Sequence, residues 1–559
     1  MKSIQNKSIG IIFLSTISIS YFFQVEKIVT FTSGILIILY ILLYTDLSTK
    51  LRPENDWSIK LFQNINSLWL VIVLFIFTIF TQNSFLNFET ITWDVASYLV
   101  ASIEVGQGNI PMETQWESKG PVLFYLYYFF NLIANGNYIY FRLINDVLLF
   151  IISLFIFWSV YIDSNKDKAK GFFSSMFFIL LTSKVWYVSE FSELYCLFFI
   201  SLAYLLSTLL KNKISVNFIE GLLIGISSLI NQGSVLFLIP FVIKNLKNKI
   251  NFKNIISQSI GFIFPHLFFV LLYLSRDLFD VYYANYITIP LGYSEASLST
   301  LYELRVWTRE YFHYNHFLYF SILSLGIGYV LSNINNIKNA FLQPYFSGTI
   351  LGIAIYFIGS HNYYHHLFYF LFFISLLFAS IEDRKYKLVI FLFVIFSSVS
   401  IFINVFENSY NNLKSLDETY SNYPLLQLSD EIDSYFEDDY TIFALDYLFI
   451  LHYLEKENYS YIVHPMNHFA DFITDVLIDL NKIPKDNVNK LISEEPDVII
   501  CNTTMIINGV ETRIDENYNC EITEYNDNYF KLDTSKYLYN ENLFYFKDST
   551  RKINVFIKK

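Results

Sequence analysis

Long runs of apolar residues recur along most of this chain of 559 residues, and they set the strongest limit on its fold. A helix needs about 20 such residues to cross a bilayer. Hydrophobic residues make up 54% of the chain and charged residues 16%, against about 25% charged in a typical soluble domain. Lipid must therefore solvate most of the protein. Candidate spans lie near 8–24, 28–45, 67–83, 141–162, 171–183, 186–210, 255–275, 317–332, 344–359, 365–380 and 388–405.

A further apolar stretch, 218–243, is too long for one straight helix and is interrupted by Asn231, Gln232 and Gly233. We predict two short helices that meet at this polar turn, which brings the total to about 13 spans. From about residue 406 the pattern changes. The segments "YTIFAL" and "DVIICN" are typical of buried strands, with helical segments between them. The predicted fold is mainly α: a polytopic transmembrane bundle over 1–405, then a small soluble α/β domain over 406–559.

Lysine and arginine in short loops predict the orientation in the membrane, because such loops favour the cytoplasm. The basic loops can share that side if the run 121–134 lies at, or dips into, the outer surface. The N-terminus is then cytoplasmic, and the C-terminal domain and the loops 84–120 and 276–316 are extracytoplasmic. We expect a multi-pass protein of the cell (inner) membrane. The basic loops lie at 46–60, 166–170, 211–213, 244–253, near Lys338 and at 384–387.

Net charge and cysteine content bear on whether the protein binds nucleic acid, holds a metal or forms a disulfide. The formal charge of −12 argues against a nucleic-acid partner, which would require a basic surface. Of the three cysteines, Cys196 lies in an apolar run and is predicted to be an inert core residue. Cys501 and Cys520 can pair if the tail faces an oxidising compartment, but the sequence does not show their geometry. The spacing matches no zinc or haem motif.

The first large outer loop, "TWDVASYLVASIEVGQGNIPMETQWESKGP", concentrates ionisable groups between two apolar segments. Asp94 begins a predicted short helix and shares a face with Tyr98, one turn later. A carboxylate held partly out of water at a membrane surface is a candidate general base. A lysine at that boundary suits an anionic lipid headgroup. The alternative is that the later charges of the loop are ordinary solvated groups, namely Glu113, Glu117 and Lys119.

Two further groups of polar residues lie at predicted outer ends of spans. Glu190 and Glu193 can bind sugar hydroxyls, or one of them can simply pair with Lys184. His365 and His366 follow His361 at another outer turn. No nearby carboxylate is expected to complete a metal site there, so a headgroup or aromatic-belt role is favoured.

The motifs of the outer loop resemble those of the GT-C superfamily of lipid-linked-sugar glycosyltransferases. The similar branch contains protein O-mannosyltransferases and aminoarabinose transferases that act on lipid A. It carries an acidic residue, a Tyr four positions on, a Gly-rich helix end, and Lys-Pro-Pro or Lys-Gly-Pro before an aromatic helix. The stretches 220–240 and 360–377 resemble its Gly-rich helix pair and its late His-Tyr helix. The matching loop positions here are Asp94, Tyr98, Gly106 to Gly108, and Lys119-Gly120-Pro121.

This resemblance implies transfer of a sugar from a polyprenyl-phosphate carrier to a glycolipid, polysaccharide or protein acceptor on the outer face. Asp94 would act as the base or orient the acceptor, and Lys119 would bind the donor phosphate, with Arg305 and Arg309 as further candidates for it. Membrane lipid would be the other partner. Candidate substrate-binding residues are Tyr98, Glu113, Glu117, Glu190, Glu193, Asn231, Gln232, His365 and His366.

Two departures from the family pattern bear on cofactors. Val95 stands where a second acidic residue is usual, which puts a metal or paired-carboxylate site there in doubt. Asn231-Gln232 replaces the usual lysine of the Gly-rich pair, so a second phosphate-binding cation is missing at that turn. We predict no cofactor and no metal, with a divalent metal left open.

Two other classes of protein compete with the transferase. The first is a transporter, flippase or O-antigen-polymerase-like protein of envelope polysaccharide assembly, and the second is a non-enzymatic scaffold that presents the tail. Transporters usually show internal repeats and ionisable residues in mid-membrane. This sequence shows no repeat and gathers its ionisable residues at predicted helix ends, which favours the enzyme.

Overall fold

A computed structural model describes most of the chain. Arg305, Arg309, Lys184, His361 and Cys520 lie outside its described residues, as do the predicted spans near 8–24, 28–45, 317–332 and 388–405. The described residues are 64–82, 93–183, 190–210, 214–247, 252–297, 342–358, 364–381, 410–411, 413–507, 510–513, 528–537, 539–543 and 546–559.

The described part is mainly helical. Three of its helices are long and apolar enough to cross a membrane, Tyr138–Asp163, Ser192–Leu209 and Phe252–Leu274, and the count of about 13 spans stays a prediction. The other α-helices before the tail are Ser67–Thr81, Trp93–Ala101, Ile103–Gly106, Pro121–Ala134, Lys168–Thr182, Ile214–Ser228, Leu238–Lys247, Phe279–Tyr283, Ile289–Ser297, Pro344–Ile358 and Phe368–Ser380. Short 3-10 or π segments among the described residues are Gln232–Phe237, Ala284–Thr288, Tyr364–Leu367, Pro465–Phe469 and Ser535–Tyr537.

One apolar face of the helix Phe252–Leu274 is exposed. The opposite face packs closely on the helix Ile214–Ser228. A Cβ added at Gly261 would lie 2.0 Å from the carbonyl oxygen of Phe218, and one at Gly221 would lie 1.9 Å from that of Gln258. Only glycines permit this approach of the two backbones, as is common between helices in lipid. Its exposed large apolar side chains are Phe252, Ile256, Ile260, Ile263, Phe264, Leu267, Phe268, Leu271 and Leu274.

Two local predictions about the bundle agree with the structure. The stretch 218–243 is broken as expected: the helix Ile214–Ser228 ends before the polar turn, and the chain resumes as Gln232–Phe237 and Leu238–Lys247. The helix Pro121–Ala134 has 14 residues and is therefore about 21 Å long. That is short of the roughly 30 Å hydrocarbon core, as the orientation argument requires.

The tail contains one mixed sheet with helices packed around it. Among the described residues its strands are β1 (Ile442–Ala444), β2 (Val498–Ile507), β3 (Val510–Arg513), β4 (Tyr529–Lys531), β5 (Tyr539–Leu543) and β6 (Phe546–Lys558). The order is β1-β2-β6-β4, with β3 paired to β2 and β5 paired to β6. The tail helices are Leu416–Ser421, Pro424–Asp433, Phe449–Tyr453, Asp471–Asp479 and Asn487–Ser493.

Both strands predicted in the tail are present and lie side by side. β1 and β2 run parallel, with Ile442 opposite Val498, and the residues of β1 and the first four of β2, Val498 to Cys501, are buried. β1 is the end strand of the order, and this parallel pair contributes buried residues to the tail core. Cys501, in β2, is buried and disulfide-bonded, whereas Cys196 is a free, buried core residue as predicted.

Candidate functional site

The helix Trp93–Ala101, here called the site helix, holds Asp94 at its first turn. The positive end of the helix dipole favours a carboxylate at this position. The residues from Val95 onwards are buried, so the helix is fixed while the Asp94 side chain remains 37% exposed. The buried Tyr98 donates its hydroxyl to Oδ1 of Asp94 at 3.3 Å. The predicted pairing of these two residues on one face is confirmed.

The loop that follows the site helix is shaped around Glu104, which the sequence analysis did not single out. Its fully buried carboxylate accepts hydrogen bonds from the backbone N–H groups of Met112 (2.7 Å), Thr114 (2.8 Å) and Gln115 (3.1 Å). Burial nevertheless raises the pKa of Glu104 to about 7. This clamp fixes the path of the chain towards Glu117.

Two hydrogen bonds fix the backbone at Lys119, one made by the next residue and one made by its own carbonyl. The N–H of Gly120 donates to the carbonyl of Ile230 at 3.0 Å, and the side chain of Asn285 donates to the Lys119 carbonyl at 2.9 Å. The Lys119 ammonium lies 6.0 Å from the centre of the Tyr98 ring. The two principal residues of the predicted site, Asp94 and Lys119, are therefore brought together through Tyr98.

The charges around Lys119 keep it protonated. Burial lowers the pKa of the ammonium, but Glu193, Asp94 and Glu117 outweigh that effect and raise it above its ordinary value. Lys119 is thus the ammonium of an otherwise acidic cluster of described residues, and it is the group there that can pair with an anion. Each carboxylate belongs to a different segment of the chain, so only the fold assembles the cluster.

Glu117 supplies a second carboxylate beside Asp94. It is 1% exposed, and its carboxylate accepts hydrogen bonds from the backbone and hydroxyl of Ser118. Burial raises the pKa of Glu117, His464 lowers it, and Asp94 raises it again. Val95 supplies no acid at the next position in the sequence, and the carboxylate whose charge interacts with that of Asp94 here comes from the end of the loop.

Glu193 meets the late histidine pair. Its buried carboxylate lies 3.8 Å from Nε2 of His366, and one ligand atom each from Glu193, His365 and His366 lies within 4.8 Å of the others. The expectation that no carboxylate lies near these histidines was wrong, because the start of the helix Ser192–Leu209 packs beside them. Two imidazoles and a carboxylate form a donor set of the kind that binds a divalent ion.

The polar turn between the Gly-rich helices contacts the same region. The side chain of Asn231 donates to Glu193 at 2.9 Å, and Gln232 donates to the carbonyl of Asn285 at 3.3 Å. Asn285 is the residue that holds the backbone of Lys119. The two residues that replace the family lysine thus support the site through Glu193 and Lys119.

Two of the predicted substrate-binding residues have other partners. Glu113 accepts the backbone N–H of Ile110 at 3.0 Å and lies 3.8 Å from the half-exposed Arg276. Glu190 forms a buried ion pair with Arg142. Glu190 was expected to bind sugar or to pair with Lys184; its actual partner lies on the helix Tyr138–Asp163, a contact that depends on packing rather than on sequence proximity.

The tail also contacts the cluster, through residues that the sequence did not single out. Nε2 of His464 lies 3.8 Å from Oδ1 of Asp94, and Asn467 donates to Glu117 at 3.3 Å. The indole of Trp93 donates to Asp446 at 2.7 Å. No local motif marks these residues, because the contacts join segments that are distant in the sequence.

The chain matches no known family profile and no curated protein in sequence. Its fold is similar to that of ArnT from Cupriavidus metallidurans in the apo state (10% identity, 80% of this chain and 96% of that chain, TM-score 0.47). The undecaprenyl-phosphate-bound form gives 11% identity, 78% and 93% coverage, and a TM-score of 0.49.

A more distant likeness is to the archaeal oligosaccharyltransferase AglB from Archaeoglobus fulgidus, in complex with an inhibitory peptide and a dolichol-phosphate (10% identity, 80% and 74% coverage, TM-score 0.42).

Proposed function

We propose that this protein is a membrane glycosyltransferase that moves a sugar from a polyprenyl-phosphate-linked donor to an acceptor hydroxyl on the extracytoplasmic face. The supporting observation is the meeting of one fixed cation, Lys119, with the carboxylates of Asp94, Glu117 and Glu193. A base and a phosphate-binding cation are the two groups that such a transfer requires.

In the proposed reaction the acceptor oxygen bonds to the anomeric carbon of the sugar as the bond from that carbon to the phosphate oxygen breaks. The electron pair of the broken bond leaves with the phosphate. Asp94 accepts the proton of the acceptor hydroxyl, and the ammonium of Lys119 stabilises the charge that develops on the phosphate. Attack opposite the leaving group inverts the configuration at the anomeric carbon.

The surroundings of Lys119 suit a donor with a lipid tail. The helix Pro121–Ala134 begins two residues later and exposes the apolar side chains of Phe129, Leu132 and Ile133. A polyprenyl chain can lie along such a face while its phosphate stays at the interface with Lys119. The helix start beside Lys119 is buried and its last turns expose these side chains, so the two ends could contact the phosphate and the lipid tail of an amphipathic donor.

The remaining roles follow from position. Arg305 and Arg309 stay proposals for the donor phosphate. The acceptor is proposed to be a glycan, a glycolipid or a protein, and the donor sugar a hexose or a pentose. Sugar and acceptor hydroxyls are proposed to contact the polar groups around the cluster, namely Tyr98, Glu117, Glu193, Asn231, Gln232, His365 and His366.

The proposed orientation places the N-terminus in the cytoplasm and the tail outside a multi-pass inner-membrane protein. Two observations support it. The tail packs on the end of the bundle that carries the site, and Cys501 in the tail is disulfide-bonded. Disulfides persist in oxidising compartments and are rare in the cytosol.

The test is sugar transfer in membranes supplied with a radiolabelled polyprenyl-phosphate-sugar pool. We expect Asp94→Asn to lower the rate by about 10²- to 10⁴-fold and Lys119→Ala by about 10²- to 10³-fold. The matched control is Glu113→Gln, in the same loop but paired at its edge with Arg276, which should keep nearly the wild-type rate.

Wild-type membranes that leave the donor unconsumed would refute the transferase. In that case, movement of the lipid-linked substrate across vesicle membranes would test the transporter alternative. Donor consumption that survives both substitutions would refute the two site assignments instead.

A further inference from the structure

We propose that the tail domain completes the active site and that His464 is a positioning residue for Asp94. The inference rests on the proposed function and adds an element that the loop motifs do not contain. The proposal gives the tail a direct role in the reaction, because one of its residues positions Asp94.

The imidazole of His464 is aimed at Asp94. Its Nε2 lies 3.8 Å from Oδ1 of Asp94, and its side chain is 12% exposed. The backbone N–H of Met466 donates to Nδ1 of His464 at 3.2 Å. In the neutral ring the proton is therefore on Nε2, the atom that faces the carboxylate. The Trp93 ring packs edge-on against the imidazole, with centroids 6.1 Å apart.

A short backbone ladder holds His464 in register with the outer loop. The N–H of Trp116 donates to the carbonyl of Tyr461 at 2.6 Å, and the N–H of Val463 donates to the carbonyl of Trp116 at 3.1 Å. The ladder ends one residue before Glu117 on one side and one residue before His464 on the other. Any movement of the tail relative to the loop therefore displaces both side chains together.

Side-chain hydrogen bonds also join the outer loop to the tail. The amide of Gln115 donates to the carbonyl of Asn458 at 3.0 Å and accepts the N–H of Asn458 at 3.0 Å. The hydroxyl of Tyr461 donates to the carbonyl of Met112 at 2.8 Å. These groups are buried or partly buried, so the tail is docked by specific hydrogen bonds rather than by an apolar surface alone.

The position of His464 gives it two effects on the reaction. His464 and Tyr98 both approach Oδ1 of Asp94, so in the proposed reaction Oδ2 is the oxygen that takes the proton of the acceptor hydroxyl. When protonated, the imidazole also offsets the repulsion between Asp94 and Glu117. Catalytic rates are sensitive to this kind of orientation, because displacing a group by about 1 Å can cost about 10²-fold.

The experiment measures sugar transfer as a function of pH for wild type, His464→Ala and His464→Gln. We expect His464→Ala to lower kcat by about 10- to 100-fold, with little change in the KM for the donor. The fall in the transfer rate of His464→Ala on the acid side of its pH profile should move to higher pH. The reason is that Glu117 loses the imidazole of His464, which lowers its pKa. The other groups that face Glu117 (Asp94, Lys119, Tyr98) are unchanged.

His464→Gln retains an N–H donor without a charge, so it should recover part of kcat but leave the fall in rate on the acid side displaced. Met466→Leu, in the same segment with an exposed side chain, is the matched control and should behave as wild type. If His464→Ala is poorly folded, the Gln variant decides the question.

Wild-type kcat and an unchanged pH profile in the Gln variant, while the wild type transfers sugar, would overturn this inference alone. Absence of transfer by the wild type would instead refute the proposed function.

Discussion

The guanidinium of Arg142 is paired with the carboxylate of Glu190, and both side chains are 1% exposed. The pair joins the helix Tyr138–Asp163 to the chain just before the helix Ser192–Leu209, which carries Glu193 at its first turn. The hydroxyl of Tyr127 also donates to the backbone carbonyl of Glu190. Glu190 is thus positioned to hold the segment that presents Glu193.

We predict that Glu190→Ala destabilises the protein by about 3–5 kcal/mol, because it leaves the buried charge of Arg142 without its partner. The double variant Arg142→Met, Glu190→Met should recover most of that loss, since two apolar side chains of similar size replace the pair. Thermal unfolding of the purified protein in detergent measures both changes. A double variant no more stable than Glu190→Ala would contradict the pairing.

The clamp at Glu104 predicts a dependence of stability on pH. Its pKa rises from 4.5 to about 7 on folding, so the native state binds a proton that the unfolded state has lost over this interval. The contribution is fully present below pH 4.5 and is lost as the pH rises through 7. It amounts to at most about 3 kcal/mol.

We expect the unfolding temperature of the wild type to fall between pH 5 and pH 8 more steeply than that of Glu104→Gln, which does not titrate. Glu113→Gln provides the control, because Glu113 lies in the same loop with a side chain that is 28% exposed. Equal slopes for wild type and Glu104→Gln would show that the clamp stays ionised across this interval.

The sequence sufficed for those features that depend on local spacing. The pairing of Asp94 with Tyr98 follows from one helical turn, and the break at Asn231 follows from polar residues inside an apolar run. The strands "YTIFAL" and "DVIICN" follow from apolar runs of strand length. In each case a single segment carries the whole signal.

Contacts between distant segments were not predictable in the same way. The sequence marked Glu190, Glu193 and His366 as polar residues at costly positions, but it gave no means to choose their partners. The partner of each residue depends on which helices pack together and on how far along the membrane normal each residue lies. His464 lies in the tail, and only the docking of the tail on the outer loop makes it a neighbour of Asp94.

We predict that chelation leaves sugar transfer unchanged. The positive charge needed at the phosphate is supplied by Lys119, which the surrounding carboxylates keep protonated, and Glu193 already accepts hydrogen bonds from Asn231 and Ser192. Transfer by purified protein is compared before and after incubation with EDTA and dialysis. Activity that disappears and returns with zinc or manganese would contradict this prediction. It would then point to Glu193, His365 and His366 as ligands.

The close approach of the loop to the polar turn predicts a strict requirement for glycine at position 120. A Cβ there would lie 2.1 Å from the carbonyl oxygen of Leu229, so Gly120→Ala must push apart the two backbone segments that fix Lys119. We expect a loss of about 1–3 kcal/mol in stability. The rate of transfer should fall further than the folded fraction, because the ammonium is displaced from the cluster.

Gly233→Ala is the matched control for this substitution, since the nearest atom to its added Cβ, Oδ1 of Asn231, lies at 3.4 Å. Unfolding temperature and transfer rate are measured on the same preparations of both variants. If Gly120→Ala keeps the wild-type rate per folded molecule, then the position of Lys119 does not limit the reaction. The role of Lys119 at the donor phosphate would have to pass to another cation.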